Sequence, residues 1–169
     1  MKNNQIILAG LVTILSLGGL VMFSNSNRSE TTTQALQSTS EVEPIDKIAV
    51  KTYKSPFCGC CKGWTGYMED EGYSLTVEEV EDMDVIKERF DIPEELESCH
   101  TSEIEGYVVE GHVPEVAIAK LLTERPEIKG IALAGMPSGT PGMPGPKNEG
   151  YVVYEITPEG EKGAVFMTI

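Results

Sequence analysis

Ile48-Ala49-Val50-Lys51-Thr52-Tyr53 reads as a β-strand, and it runs through Pro56 into three cysteines, Cys58, Cys60 and Cys61. Helical spacing begins where the cysteines end. Trp64, Tyr67 and Met68 stand at i, i+3 and i+4 within a helix expected from Cys61 to about Asp70, and Gly72 closes it. A strand feeding a cysteine loop at a helix N-terminus narrows the possible folds more than any other feature of the chain.

The elements that follow alternate. Tyr73 to Val80 reads as a second strand. A short helix, capped by Asp82 or Asp84, is expected to run through Arg89 with Val85, Ile86 and Phe90 inward. Ile92 to Leu96 makes a turn, and Gly106 to Glu110 a third strand. A helix from Pro114 to Glu124 starts on a proline, which suits a first helical position. A loop rich in Gly and Pro spans Gly130 to Gly150, and a hairpin closes the chain with strands at Tyr151–Ile156 and Ala164–Thr168. This order points to an α/β, thioredoxin-like fold with a central mixed sheet flanked by helices. In that plan the loop before the third strand faces the N-terminus of the first helix. Here the loop is Ser98-Cys99-His100-Thr101, so Cys99 is expected beside Cys58 and Cys61 in space.

All four cysteines and both histidines fall in three short stretches: around Cys58, at Cys99-His100, and at His112. Cys58 and Cys61 have the C-x-x-C spacing of a redox dithiol, while Cys60-Cys61 are adjacent. A helix N-terminus favours the thiolate, which serves a redox pair and a metal ligand alike. Three thiols plus Cys99 exceed what a dithiol needs. They can bridge more than one soft ion, which suits Cu(I) better than a single structural zinc. His100 and His112 both flank this site, and neutral imidazole also accepts Cu(II). Met136 and Met143 belong to Gly-Met-Pro units in the glycine-rich loop, with no helical face to pack on. They read as thioether ligands or as a lid over the site. Met68, Met83, Met167, Trp64 and Tyr67 read as core. Two other readings stand beside the metal site: a thiol-disulfide oxidoreductase working through Cys58 and Cys61, and an exported domain stapled by disulfides such as Cys58 or Cys61 with Cys99.

Ile6 to Phe23 is an uncharged apolar run behind Lys2, the pattern of a secretory signal peptide or an uncleaved membrane anchor. The sequence after it is rich in Ser, Thr, Asn and Gln and reads as a flexible tether. The expected organisation is a signal or anchor helix at 1–23, a linker at 24–46 and a folded domain at 47–169. The domain is expected on the far side of the membrane, in the periplasm or on the extracytoplasmic face, touching lipid only through the N-terminal segment. A formal net charge of -14 disfavours nucleic acid and anionic membrane surfaces as partners. The acidic run Glu78, Glu79, Glu81 and Asp82 reads as solvated surface.

Five motifs occur in order: Tyr53-Lys54-Ser55-Pro56; Cys58-Gly59-Cys60-Cys61-Lys62-x-Trp64; Ser98-Cys99-His100-Thr101; Gly106-Tyr107-x-x-Glu110-Gly111-His112-Val113-Pro114; and Gly135-Met136-Pro137-x-Gly139-x-Pro141-Gly142-Met143. Together they resemble the CopG-type periplasmic copper-resistance proteins, long catalogued as a domain of unknown function, from about Ile48 to the C-terminus. The resemblance implies a thioredoxin-like domain that binds several copper ions through the cysteines, here Cys58, Cys60, Cys61 and Cys99. His100, His112, Met136 and Met143 match further motif positions. It also implies a part in copper tolerance, interconversion of Cu(I) and Cu(II), and partners among other periplasmic copper-handling proteins. Phe57 departs from the pattern, which has a small polar residue there, and bears on access to the site.

Overall fold

A computed structural model describes residues 46–146 and 150–169. The expected span over 1–23 and all of the tether but Asp46 lie outside the described residues. Among the described residues no helix is long and apolar enough to cross a membrane.

Strand β1 (Ala49–Lys54) leads into α1 (Gly59–Asp70), which crosses over to β2 (Ser74–Glu79), parallel to β1. Helix α2 (Asp84–Arg89) and a 3₁₀ turn (Glu94–Leu96) precede the hairpin of β3 (His100–Ile104) and β4 (Tyr107–Glu110). Helix α3 (Glu115–Glu124) crosses to β5 (Gly130–Ala132), parallel to β4. Antiparallel strands β6 (Val152–Ile156) and β7 (Lys162–Thr168) finish the sheet. The seven strands lie in the order β2-β1-β3-β4-β5-β6-β7. The β1-α1-β2 crossover joined to β3-β4-α3 is the thioredoxin-like unit, and β5 to β7 extend it along one edge.

Side-chain periodicity explains how the sheet is covered. Helix α1 buries Cys61, Trp64, Thr65 and Met68, an i, i+3, i+4, i+7 stripe. Alternation along β4 sends Val109 into the core under α1 and α3, and Val108 into a smaller cluster with Ile92 and Leu96 on the other face. Ile131 and Ala132 divide between the two clusters in the same way. The stripe carries Cys61 into the core, so one of the three clustered cysteines is fully buried while Cys60 stays half-buried.

Several expectations need correcting. The segment Ser98–Thr101 was expected to be a loop, with the third strand at Gly106–Glu110. Instead β3 starts at His100 and Gly106–Glu110 contributes the fourth strand, β4. His100-Thr101-Ser102-Glu103-Ile104 lacks the apolar alternation that marks a strand, because two of its buried positions, Thr101 and Ser102, are polar and satisfied across the sheet. Ser102 Oγ pairs with Thr52 Oγ1 at 2.9 Å, and Thr101 Oγ1 donates to Glu110 Oε2 at 2.7 Å. The hairpin turns on Glu105 and Gly106, at φ +50° and +86°. That is the two-residue geometry matching strand twist, which a Gly accepts without cost. Strand β5 lies inside the expected glycine-rich loop, too short at three residues to show a period. On α2, Val85 is exposed, and Lys87 is buried together with Ile86. The inward lysine is held by an ion pair with Glu110, a long-range partner that local spacing does not reveal.

Candidate metal centre

Register brings the distant cysteine home. The last residue of β1, Lys54, pairs with His100, the first of β3. Only the Ser55–Cys58 connection separates Lys54 from α1, so Cys99, one residue before β3, arrives at the helix N-terminus. Cys58 is the N-cap of α1, its sulfur accepting the Cys61 amide at 3.3 Å. Cys58 and Cys61 form a disulfide, whereas Cys60 and Cys99 are free and half-buried. The Cys60 sulfur lies 3.5 Å from that of Cys58 and 3.8 Å from that of Cys99. The Cys61 sulfur lies 3.8 Å from the Cys99 carbonyl oxygen. Neither Cys58 nor Cys61 pairs with Cys99, so the staple considered from sequence does not form.

The two histidines meet below this cluster. His100 packs its ring 4.6 Å from Trp64 and 4.8 Å from His112, centroid to centroid, the latter edge-on. The Gly111 amide donates to the His100 carbonyl at 2.9 Å, which holds the loop bearing His112 against β3. Both rings are fully buried. His112 Nδ1 lies 2.8 Å from the Pro141 carbonyl oxygen, which can only accept. Nδ1 therefore carries the proton and Nε2 presents its lone pair. Among the described residues, neither that Nε2 nor either nitrogen of His100 has a hydrogen-bond partner. A buried polar atom without a partner costs about 1–3 kcal/mol, so three in one place call for an explanation.

Ligand geometry supplies one. The sulfurs of Cys58, Cys60, Cys61 and Cys99 lie within 4.8 Å of one another, and so do the ligand atoms of Cys61, His100 and His112. Cys61 belongs to both groups. Burial, the neighbouring His112 and the Lys87 charge hold His100 well below the ordinary histidine range, and burial lowers His112 too. Both imidazoles are thus neutral and competent to ligate. Burial, reinforced by Cys60, pushes the Cys99 thiol up to about 12. A soft cation bound in the cluster would displace that proton and stabilise the thiolate.

The methionines are placed less simply. Met136 is 57% exposed and Met143 is half-buried. What the glycine-rich loop brings to the site is backbone: the Pro141 carbonyl on His112, and Gly142 seated on the first turn of α1. At φ +82°, a Cβ on Gly142 would collide with the Trp64 amide nitrogen and the Cys60 carbonyl. Gly142→Ala is therefore expected to cost roughly 1–3 kcal/mol in urea denaturation and to loosen the Pro141 contact with His112. Lys87, Glu110, Ser98 and Pro141 also belong to the surroundings of the site, and three of them, Ser98, Glu110 and Pro141, stand in the motifs that mark it.

A thioredoxin-like domain with a cysteine cluster at its helix N-terminus and two buried imidazoles behind it defines the class of protein. Comparison with known proteins narrows the class. A family model described as a protein of unknown function, DUF411, matches residues 96–143. Two solved structures of a copper resistance protein CopG, forms 2 and 1, are each 38% identical to this chain. They cover 73% of it and 99% and 98% of their own chains, with TM-scores of 0.68 and 0.67. No curated protein matches significantly. The chain belongs to the CopG copper-resistance family, as its motifs suggested.

Proposed function

We propose that this chain is an exported copper-binding protein of copper resistance, which holds a thiolate-bridged Cu(I) cluster on Cys58, Cys60, Cys61 and Cys99. His100 and His112 complete the cluster through Cys61. The observation that carries this reading is the shared Cys61: its sulfur lies in one group with the three other cysteine sulfurs and in a second with one ligand atom from each of the two buried imidazoles. Sulfur and imidazole donors favour a thiophilic, redox-capable ion, and bridging thiolates favour Cu(I). The copper-resistance names of the solved relatives support the same choice. Met136 and Met143 would close over the bound copper as the loop orders, and the mixed donor set accommodates interconversion of Cu(I) and Cu(II). The apolar N-terminal segment would direct the domain to the periplasm or hold it at the extracytoplasmic face.

Loading requires the reduced form. Two electrons and two protons from an external dithiol open the Cys58–Cys61 bond to two thiols, and each thiol that ligates copper then releases its proton. The disulfide itself favours a second reading, a thiol-disulfide oxidoreductase using Cys58 and Cys61, since a C-x-x-C pair at this helix N-terminus is where such chemistry sits.

One experiment separates the two. The chain is reduced, kept free of oxygen and titrated with Cu(I) against a chromophoric chelator. In parallel, the metal-free protein is offered a disulfide substrate. Tight uptake of more than one copper per chain is expected, with negligible disulfide turnover. Absence of tight uptake together with efficient turnover would replace the copper reading with the oxidoreductase.

A further inference from the structure

Behind the Cys99-His100 segment lies a charged pair that the metal reading leaves unused. Lys87 Nζ and Glu110 Oε1 are 2.5 Å apart, with 5% and 0% of their side chains exposed. Glu110 uses both oxygens. Oε1 accepts the Ser98 amide at 2.6 Å and Oε2 accepts the Thr101 hydroxyl at 2.7 Å. Lys87 Nζ also donates to Thr101 Oγ1 at 2.9 Å. Ser98 and Thr101 are the residues immediately before and after Cys99-His100, so one carboxylate grips the segment on both flanks.

The pair stands on the far side of the sheet from the histidines. Thr101 pairs with Glu110 across the β3–β4 ladder, and alternation puts Thr101 on the face opposite His100, whose ring lies against Trp64. Glu110 is absent from both sets of converging ligand atoms. A buried ion pair seldom stabilises a protein more than apolar residues of the same volume would. What this pair gains must be sought in what it holds.

We infer that Lys87 and Glu110 are positioning residues for copper binding, a buried clamp that fixes Cys99 Sγ and the His100 ring at the distances a shared metal site needs. The inference rests on the copper reading above. Metal centres commonly depend on such outer groups, because a ligand held in place need not be ordered at the moment of binding.

The test uses the full chain, reduced and without oxygen. In Lys87→Met/Glu110→Leu the two charges leave together, so the fold is expected to melt near the wild-type temperature. Its Cu(I) affinity is expected to fall about 10–100-fold. Glu110→Gln keeps an acceptor for the Ser98 amide but loses the one for the Thr101 hydroxyl and the charge facing Lys87, so its affinity should fall between those of the wild type and the double variant. In a Cys99→Ser background, the same double change should cost much less, because both act through one segment. A folded double variant that binds Cu(I) as the wild type does would overturn the inference. Should that variant fail to fold, Thr101→Val removes one grip with little change in shape, and wild-type affinity there would overturn it equally. A wild-type chain that takes up no Cu(I) would instead sink the copper reading. The clamp would then be judged by the alkylation rate of Cys99, which a changed position alters in the double variant and an idle pair leaves unchanged.

Discussion

Cys61→Ser is expected to lower Cu(I) affinity more than any other single cysteine change, by over about 100-fold, and to reduce the number of ions bound. The reason is topological. Cys58, Cys60 and Cys99 each belong to the four-sulfur group alone, whereas Cys61 also closes the group with His100 and His112. Losing Cys60 leaves the buried imidazoles with a sulfur partner. Losing Cys61 separates them from every thiolate and leaves their nitrogens unpartnered in the presence of copper as in its absence. The substitution is nearly isosteric at a fully buried position, so the fold should lose only about 1–2 kcal/mol for the poorly satisfied hydroxyl. The measurement is a chelator competition on reduced Cys58→Ser, Cys60→Ser, Cys61→Ser and Cys99→Ser, with thermal melts alongside. Equal losses in all four would mean that Cys61 is an ordinary member of the cluster and that the histidines stand outside it. The same variant cannot form the Cys58–Cys61 disulfide, so mass measurement after mild oxidation shows directly whether Cys58 turns to Cys60, its neighbour at 3.5 Å.

How much of this site was legible in the sequence follows from how locally each part is encoded. The strand, the cysteine loop and α1 are encoded within about one turn of themselves, and their reading holds. The expectation that Cys99 meets Cys58 and Cys61 in space also holds, although the strand that delivers it was misplaced. The thioredoxin-like plan requires only that some strand antiparallel to β1 begin there, and β3 does. That strand escaped notice because Thr101 and Ser102 are buried as hydrogen-bonded polar residues, and hydrophobic periodicity cannot register a satisfied hydroxyl. Lys87 was hidden for a related reason. A lysine on a six-residue helix normally faces water, and only a carboxylate brought from β4 makes its burial tolerable. The role of Pro141 is a backbone role, a carbonyl aimed at His112, and side-chain chemistry gives no hint of it. The motif spacing marked these positions without saying what they do.

Trp64→Ala is expected to destabilise the domain by about 3–5 kcal/mol, a fall of roughly 10–20 °C in Tm. Trp64 is among the largest fully buried side chains and lies at the centre of the α1 stripe. Its removal leaves a void that the surrounding β-sheet residues cannot collapse to fill. The indole Nε1 donates to the Val113 carbonyl at 2.9 Å, so the change also strands an acceptor in the loop that carries His112. Its ring supports His100 at 4.6 Å. Stability and copper binding should therefore fall together in Trp64→Ala. Trp64→Phe should divide them, keeping most of the core contact while losing the hydrogen bond, at about 1 kcal/mol. Since this is the chain's single tryptophan, its fluorescence also reports on the site in the unaltered protein. Copper bound at His100 should quench the emission in proportion to loading. Emission unchanged at full loading would place the metal away from the imidazoles, confined to the sulfurs of Cys58, Cys60, Cys61 and Cys99, and would make the buried histidines a feature of the core.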